Sequence, residues 1–301
     1  MFLAPLIGAM ALTLASQQAP APQDPLQAPA VVDDVLVDGR RLEERVRAFV
    51  DEVAAPPRRR GIARWWDRVC FGVVNLQAVQ AQSLIDRLST VADEYGVRLA
   101  GPGCRPNVVV IFADDGQAMA DAVVEAERPL FHLGVGGLDR GKVALERFRQ
   151  SDAPVRWWHV SLPVIGSTGE RAIRMPGDFG PIYVPAEGLV NHGRPITDVL
   201  NKVIVIVDAA KVEGVDGDQL AEYLAMVSLA QVDPDGDMTG YDTVLNLFAA
   251  STAPAGLTAW DRSYLEGLYQ SRPDRIDPSG QARSVTRILR AEENATSEPR
   301  P

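Results

Sequence analysis

Carboxylates and imidazoles are the groups in this chain whose spacing could carry chemistry. Glu222 lies in an apolar segment, Ala221-Glu222-Tyr223-Leu224-Ala225-Met226-Val227-Ser228-Leu229, and could act as a general base if a polarised water stood beside it. Downstream, Asp233-Pro234-Asp235-Gly236-Asp237 places aspartates at alternate positions, a spacing that suits calcium, which takes several oxygen ligands from one loop. Yet Met238 stands where a calcium loop needs its turn glycine, and Val244 where a bidentate glutamate would close it, so a plain acidic loop is the competing reading. A nitrogen-ligated metal would have to draw on the chain's three histidines, His132, His159 and His192. No helical spacing links any two of them, and convergence in space is left open.

Other motifs read as structure first. Gly166-Ser167-Thr168-Gly169 is a turn without a nucleophile elbow, and Gly134-Val135-Gly136-Gly137 lacks the full glycine pattern of a dinucleotide loop. Asp114-Asp115, at the end of an apolar run, could be paired acids, but capping of the next helix accounts for them. Trp65-Trp66 and Trp157-Trp158 could be binding platforms or core; for the second pair core is the better reading, with one ring free to face outward in an alternating strand. Cys70 and Cys104 are the two cysteines. A disulfide between them would close a loop of about 35 residues and stabilise by about 3–4 kcal/mol in the chain-entropy account. Two buried free thiols are the alternative.

The elements that must position these groups follow from periodicity. Apolar residues at helical spacing predict helices over Asp38–Val53, Leu76–Tyr95, Gln117–Glu127 and Leu138–Arg149, and a helix from Asp218. Leu257-Thr258 introduces a last helix running to Tyr269. Asn107–Ala113, Val155–Leu162 and Lys202–Asp208 read as strands, the first apolar on both faces and therefore interior to its sheet. Alternating helices and strands predict an α+β or α/β fold, a mixed sheet with flanking helices, in one domain over residues 38–276. Residues 277–301 form a polar tail.

Composition narrows the function classes. The 301 residues are 46% hydrophobic and 23% charged with net charge -10, ordinary globular material carrying no nucleic-acid footprint. Arg58-Arg59-Arg60 reads as a solvated connector, with a polyanion-binding arm as the alternative. The apolar run at residues 1–15 has signal-peptide length, with cleavage expected after Ala15; an uncleaved membrane anchor is the alternative. Residues 16–37, rich in Pro, Gln and Ala, read as a disordered tether. The expectation is an exported protein, periplasmic or extracellular, in which a disulfide can persist.

Residues 202–269 then carry a resemblance. Strand, apolar helix, acidic loop, the turn Thr243-Val244-Leu245-Asn246-Leu247-Phe248 and the Leu257-Thr258-Ala259-Trp260-Asp261 helix start follow the order of the catalytic subdomain of metzincin-like zinc peptidases. Against that family's HExxHxxGL helix, Glu222 and Leu229 match, and Ala221 and Ala225 stand at both histidine positions. Leu247 or Phe248 falls near where the family's methionine turn lies beneath the metal. Alanine offers zinc no lone pair, and without a metal-bound water Glu222 has nothing to deprotonate. The resemblance therefore implies a degenerate, zincin-like relative without cofactor or catalytic residues, binding a protein, peptide or envelope component through the old cleft. A structural envelope domain, and a metal-independent hydrolase using carboxylates such as Glu222 and Asp233, are the alternatives. An open groove lined by Tyr223, Trp260 and Tyr264 would favour binding; a buried Glu222 paired to arginine with no cleft beside it would favour the structural reading.

Overall fold

The computed structural model describes residues 44–54, 62–131, 140–165, 168–172, 196–249, 253–270, 283 and 286–288. All belong to one compact unit, Arg40–Pro301. The expected signal segment and tether, Arg58–Arg60, the glycines at 134–137, His132 and His192 lie outside the described residues.

The sheet is built around β5 (Ile196–Asp208), whose run Val203–Val207 is buried throughout, as a strand covered on both faces must be. Along one edge β5 pairs antiparallel with β4 (Val155–Ile165). Its other edge is shared by β1 (Arg64–Trp65) and β3 (Val108–Ala113), both parallel to it. Outside β3 lies β2 (Phe71–Val74), again parallel. The fold is thus α/β with a mixed sheet.

β5 begins six residues before the expected Lys202. Its first half, Ile-Thr-Asp-Val-Leu-Asn, looks polar and turn-like, but β4 and β1 supply the missing order from either side. The β4–β5 register slips between Val160 and Ser161: Val160 faces Lys202 and Ser161 faces Leu200, leaving Asn201 as the extra residue of a bulge. β1 and β2 had no sequence signal of their own, being two and four residues long.

Helices cover both faces. One face carries α1 (44–53), α2 (Ala78–Glu94), α6 (Gly217–Leu229) and α7 (Ala259–Gln270), whose apolar sides join Val108, Val110, Trp157, Val203, Val205 and Val207 in the larger core. The other carries α3 (Gly116–Ala126), α4 (Arg128–Phe131) and α5 (Gly141–Gln150), packed on Trp158, Val160, Ile204 and Ile206. Trp157 and Trp158 are therefore both buried, on opposite faces; an outward tryptophan is not needed because neither face is free. Asp115 caps α3 by accepting from the Gln117 and Ala118 amides, each at 2.9 Å, as capping predicts. Among the described residues no helix is long and apolar enough to cross a membrane.

Cys70 and Cys104 form a disulfide, Cα to Cα 6.1 Å, that ties the start of β2 to the loop before β3. Asn107 reinforces the same junction, accepting from the Cys70 amide at 2.8 Å and donating to Arg68 O at 2.9 Å. With the cysteines 34 positions apart, their replacement by serine should lower unfolding free energy by about 3–4 kcal/mol. Urea denaturation of wild type and the Cys70→Ser/Cys104→Ser variant measures this, and equal midpoints would count against it.

Candidate functional site

The helix that carries the resemblance is a core helix. From Leu220 to Leu229 every residue of α6 is buried, the condition of a helix apolar almost all round. Asp216 caps its start, accepting from the Asp218 and Gln219 amides at 2.9 and 3.2 Å. Burial at the other end creates a demand. The last carbonyls of a helix lack intrahelical partners, and here water cannot supply them.

Side chains from three elements meet that demand. Met226 O takes the Ala230 amide at 3.0 Å. Val227 O accepts from His159 Nε2 at 2.7 Å, Ser228 O from Trp65 Nε1 at 2.8 Å, and Leu229 O from the Tyr269 hydroxyl at 2.7 Å. Just beyond, Val232 O accepts from Trp157 Nε1 at 2.9 Å. Gln231 links the Ala63 amide to the Ser161 hydroxyl, at 2.9 and 3.4 Å. Each ring buries its body in the core and spends its polar tip on a carbonyl.

Glu222 lies on this same helix and is equally committed. It is 6% exposed. Its Oε1 accepts from Arg87 of α2, its Oε2 from the Leu257 amide, and Arg262 of α7 stands 3.9 Å away. Gly256 makes the approach possible, because an added Cβ would fall on the carboxylate. Arg262 also reaches Glu94 at 3.3 Å, which draws α2 and α7 into one ionic cluster over α6. Burial beside this cluster pushes the Tyr95 phenol up to about 12. Glu222 is a joint between three helices and one loop, with its oxygens already bonded.

Ala221 and Ala225 are 3% and 0% exposed, in the larger core. Tyr223, Trp260 and Tyr264 do not line an open groove. Tyr223 packs edge-on to Trp157 and Phe248, at ring distances of 6.2 and 5.2 Å. Tyr264 and Trp260 meet Phe49 of α1, both at 5.5 Å, in a separate aromatic cluster that includes Tyr241. Burial raises the Tyr223 and Tyr264 phenols well above the ordinary tyrosine range, so neither is a proton carrier near neutrality. Periodicity put these three on helices but could not say that α1 would cover the second cluster.

The acidic loop is held by cations of the chain itself. Asp233 faces Arg140 at 3.5 Å and Asp235 bonds Arg147 at 2.8 Å, while Asp237, exposed, accepts from the Thr239 amide at 3.1 Å within the loop itself. The three carboxylates thus serve different partners. Among the described residues no three His, Cys, Asp or Glu side chains gather as metal ligands. Asp261, fully buried, closes the start of α7: it accepts from the Val244 amide at 2.7 Å and the Thr258 amide at 2.9 Å, and its own amide donates to Thr258 Oγ1 at 3.2 Å. Burial still raises its carboxyl above the usual range despite these bonds.

Comparison of the chain with family models, curated proteins and solved structures finds no match.

The residues that sequence reasoning missed are Arg87, Arg262 and Gly256 around Glu222, and Tyr269 at the far end of α6; Trp65, weighed from sequence as platform or core, is core. Two weak signals were present: a buried Trp or Tyr needs an acceptor, and a buried Glu needs a cation. Neither names its partner. Replacing Glu222 by alanine strands the Leu257 amide and Arg87, and should cost about 3 kcal/mol; Arg87 is partly exposed and can rehydrate, which keeps the loss toward the low end for a buried pair. Gly256→Ala should be destabilising as well, and the double variant Glu222→Ala/Gly256→Ala should lose less than the sum. Additive losses in thermal or urea unfolding would contradict the close approach.

Proposed function

We propose that this chain is an exported, non-catalytic domain of zincin-like element order, whose α6 serves as the structural spine of the fold and not as the wall of a working cleft. The observation that carries the reading is Glu222, buried and bonded to Arg87 and the Leu257 amide. A base for hydrolysis needs a free lone pair beside a water or a substrate proton, and this carboxylate spends its oxygens on the protein. The same commitment weighs against a carboxylate pair acting without metal, since Asp233 is turned to Arg140. Support for the zincin-like order is the strand, helix, acidic loop, turn and capped helix in succession: β5, α6, residues 233–242, the turn at Val244–Asn246 and α7. Export is supported by the apolar N-terminal run together with the disulfide. A protein, peptide or envelope partner would on this reading meet the outer surface of the domain.

Restoring the two missing histidines separates a packed spine from a retained cleft. In the variant Ala221→His/Ala225→His, two imidazoles would have to enter a filled core, at a cost of about 1–3 kcal/mol each. The expected result is a lowered unfolding midpoint, no stoichiometric zinc by elemental analysis and no peptide hydrolysis. A stable variant that binds one zinc per chain would overturn the proposal, because the helix face would then still open on a cleft.

A further inference from the structure

Four rings hold the C-terminal end of α6 and the turn after it, and one of them belongs to a side chain that, once free in water, changes charge near neutral pH. Trp65 and Trp157 do not titrate, and burial pushes the Tyr269 phenol further out of range. His159 is the exception. We propose that His159 is an acid-responsive latch between β4 and the C-terminus of α6, released when its ring takes up a second proton.

The geometry defines both states. His159 is 2% exposed, and its Nε2 lies 2.7 Å from Val227 O, so Nε2 carries the hydrogen of the neutral ring. Nδ1 is buried with no hydrogen-bond partner among the described residues. As a bare lone pair Nδ1 is tolerable there; as an N–H it would be a buried donor without an acceptor, on a ring that has also become a cation.

The surroundings offer that cation little. β5 presents Val203 opposite His159. On α6, one turn before Val227, the titratable group is Tyr223, neutral and held so by burial. Ser161, next on the same face of β4, and Gln231 are uncharged. The charged group that acts on the ring is Arg140, before α5, itself a cation partly matched by Asp233 at 3.5 Å. Two effects favour protonation: the bond to Val227 O and the negative end of the α6 dipole. Burial outweighs them, with Arg140 adding to it, and holds the imidazole down to about 3 from its ordinary 6.5.

The sign follows. A histidine whose folded-state value is depressed leaves stability intact above 6.5. Between 6.5 and about 3 the released ring binds a proton that the latched ring refuses, so stability falls as pH falls. Each pH unit below 6.5 shifts the latched-to-released ratio by up to about tenfold toward release, roughly fiftyfold between pH 6.5 and 4.5.

Hydrogen exchange read by mass spectrometry on the full chain, corrected for the intrinsic pH dependence of exchange, tests this. Protection in peptides spanning residues 155–165 and 223–232 should drop about fiftyfold between pH 6.5 and 4.5, while α3, in the opposite layer, keeps its protection. In His159→Gln, whose side-chain amide can still donate to Val227 O, the drop should vanish. An unchanged wild-type profile, an equal drop in the variant, or an equal drop throughout the protein would each overturn the latch. Should the variant not fold, carbon-13 titration of the wild-type imidazole decides: His159 stays a neutral Nε2–H ring in the folded protein below pH 5, and a native-state midpoint near 6.5 overturns the proposal.

Discussion

A helix whose last carbonyls are buried must be finished by the rest of the molecule, and that requirement organises this fold. α6 runs through the larger core with every residue from Leu220 to Leu229 out of water. Three of its last four carbonyls take side-chain donors, from Trp65 on β1, His159 on β4 and Tyr269 on α7. Each unmade bond would cost about 1–3 kcal/mol, against a whole-domain stability of roughly 5–15 kcal/mol. No two of these donors could be lost cheaply. β1, only two residues long, earns its place by this test: it sets Trp65 under Ser228 O and Arg64 on the last carbonyls of α7, at 2.8 Å from Leu268 O and 2.7 Å from Tyr269 O.

The two ends of α6 are secured by different physics, and this separates their roles. At the C-terminal end neutral donors meet neutral acceptors in a dry setting, where charge is unwelcome. Nearer the start, Glu222 reaches the margin between α2 and α7, where Arg87 and Arg262 are 35% and 44% exposed and can keep part of their hydration. A buried carboxylate is tolerated there because its partners are not fully buried and a backbone amide supplies a further bond. The disulfide and Asn107 act on a third region, the start of β2.

What the sequence made legible is what depends on neighbours in the chain. The unbroken apolar run Val108–Ala113 read as interior and lies between β2 and β5; the α2 stripe of Leu84, Leu88 and Val91 is buried; Asp115 caps α3. What it hid depends on residues far away. β1 and β2 exist because longer strands pair with them. The early start of β5 is imposed by β4 across a bulge at Asn201. Tyr223 and Tyr264 carry no local mark that Phe248 and Phe49 will cover them. The partners of Glu222 lie 135 positions before it, at Arg87, and 35 after it, at Leu257, separations over which no periodic pattern operates.

The alanines at 221 and 225 acquire a different meaning inside such a core. On an open cleft, an alanine would leave the surface solvated, with room for a larger or polar side chain. In a packed interior, the small side chain is what lets the helix lie close to its neighbours, and volume rather than lone pairs becomes the selected property. Ala225 and Ala221 are then matched to the space left for them in the larger core, just as Gly256 is matched to the carboxylate of Glu222. A helix fixed at both ends, by ion pairs at one and buried carbonyl bonds at the other, has little freedom to move aside for a larger residue between them. At positions 221 and 225 the packing of α6 therefore asks for small apolar side chains, whatever chemistry the order of elements suggests.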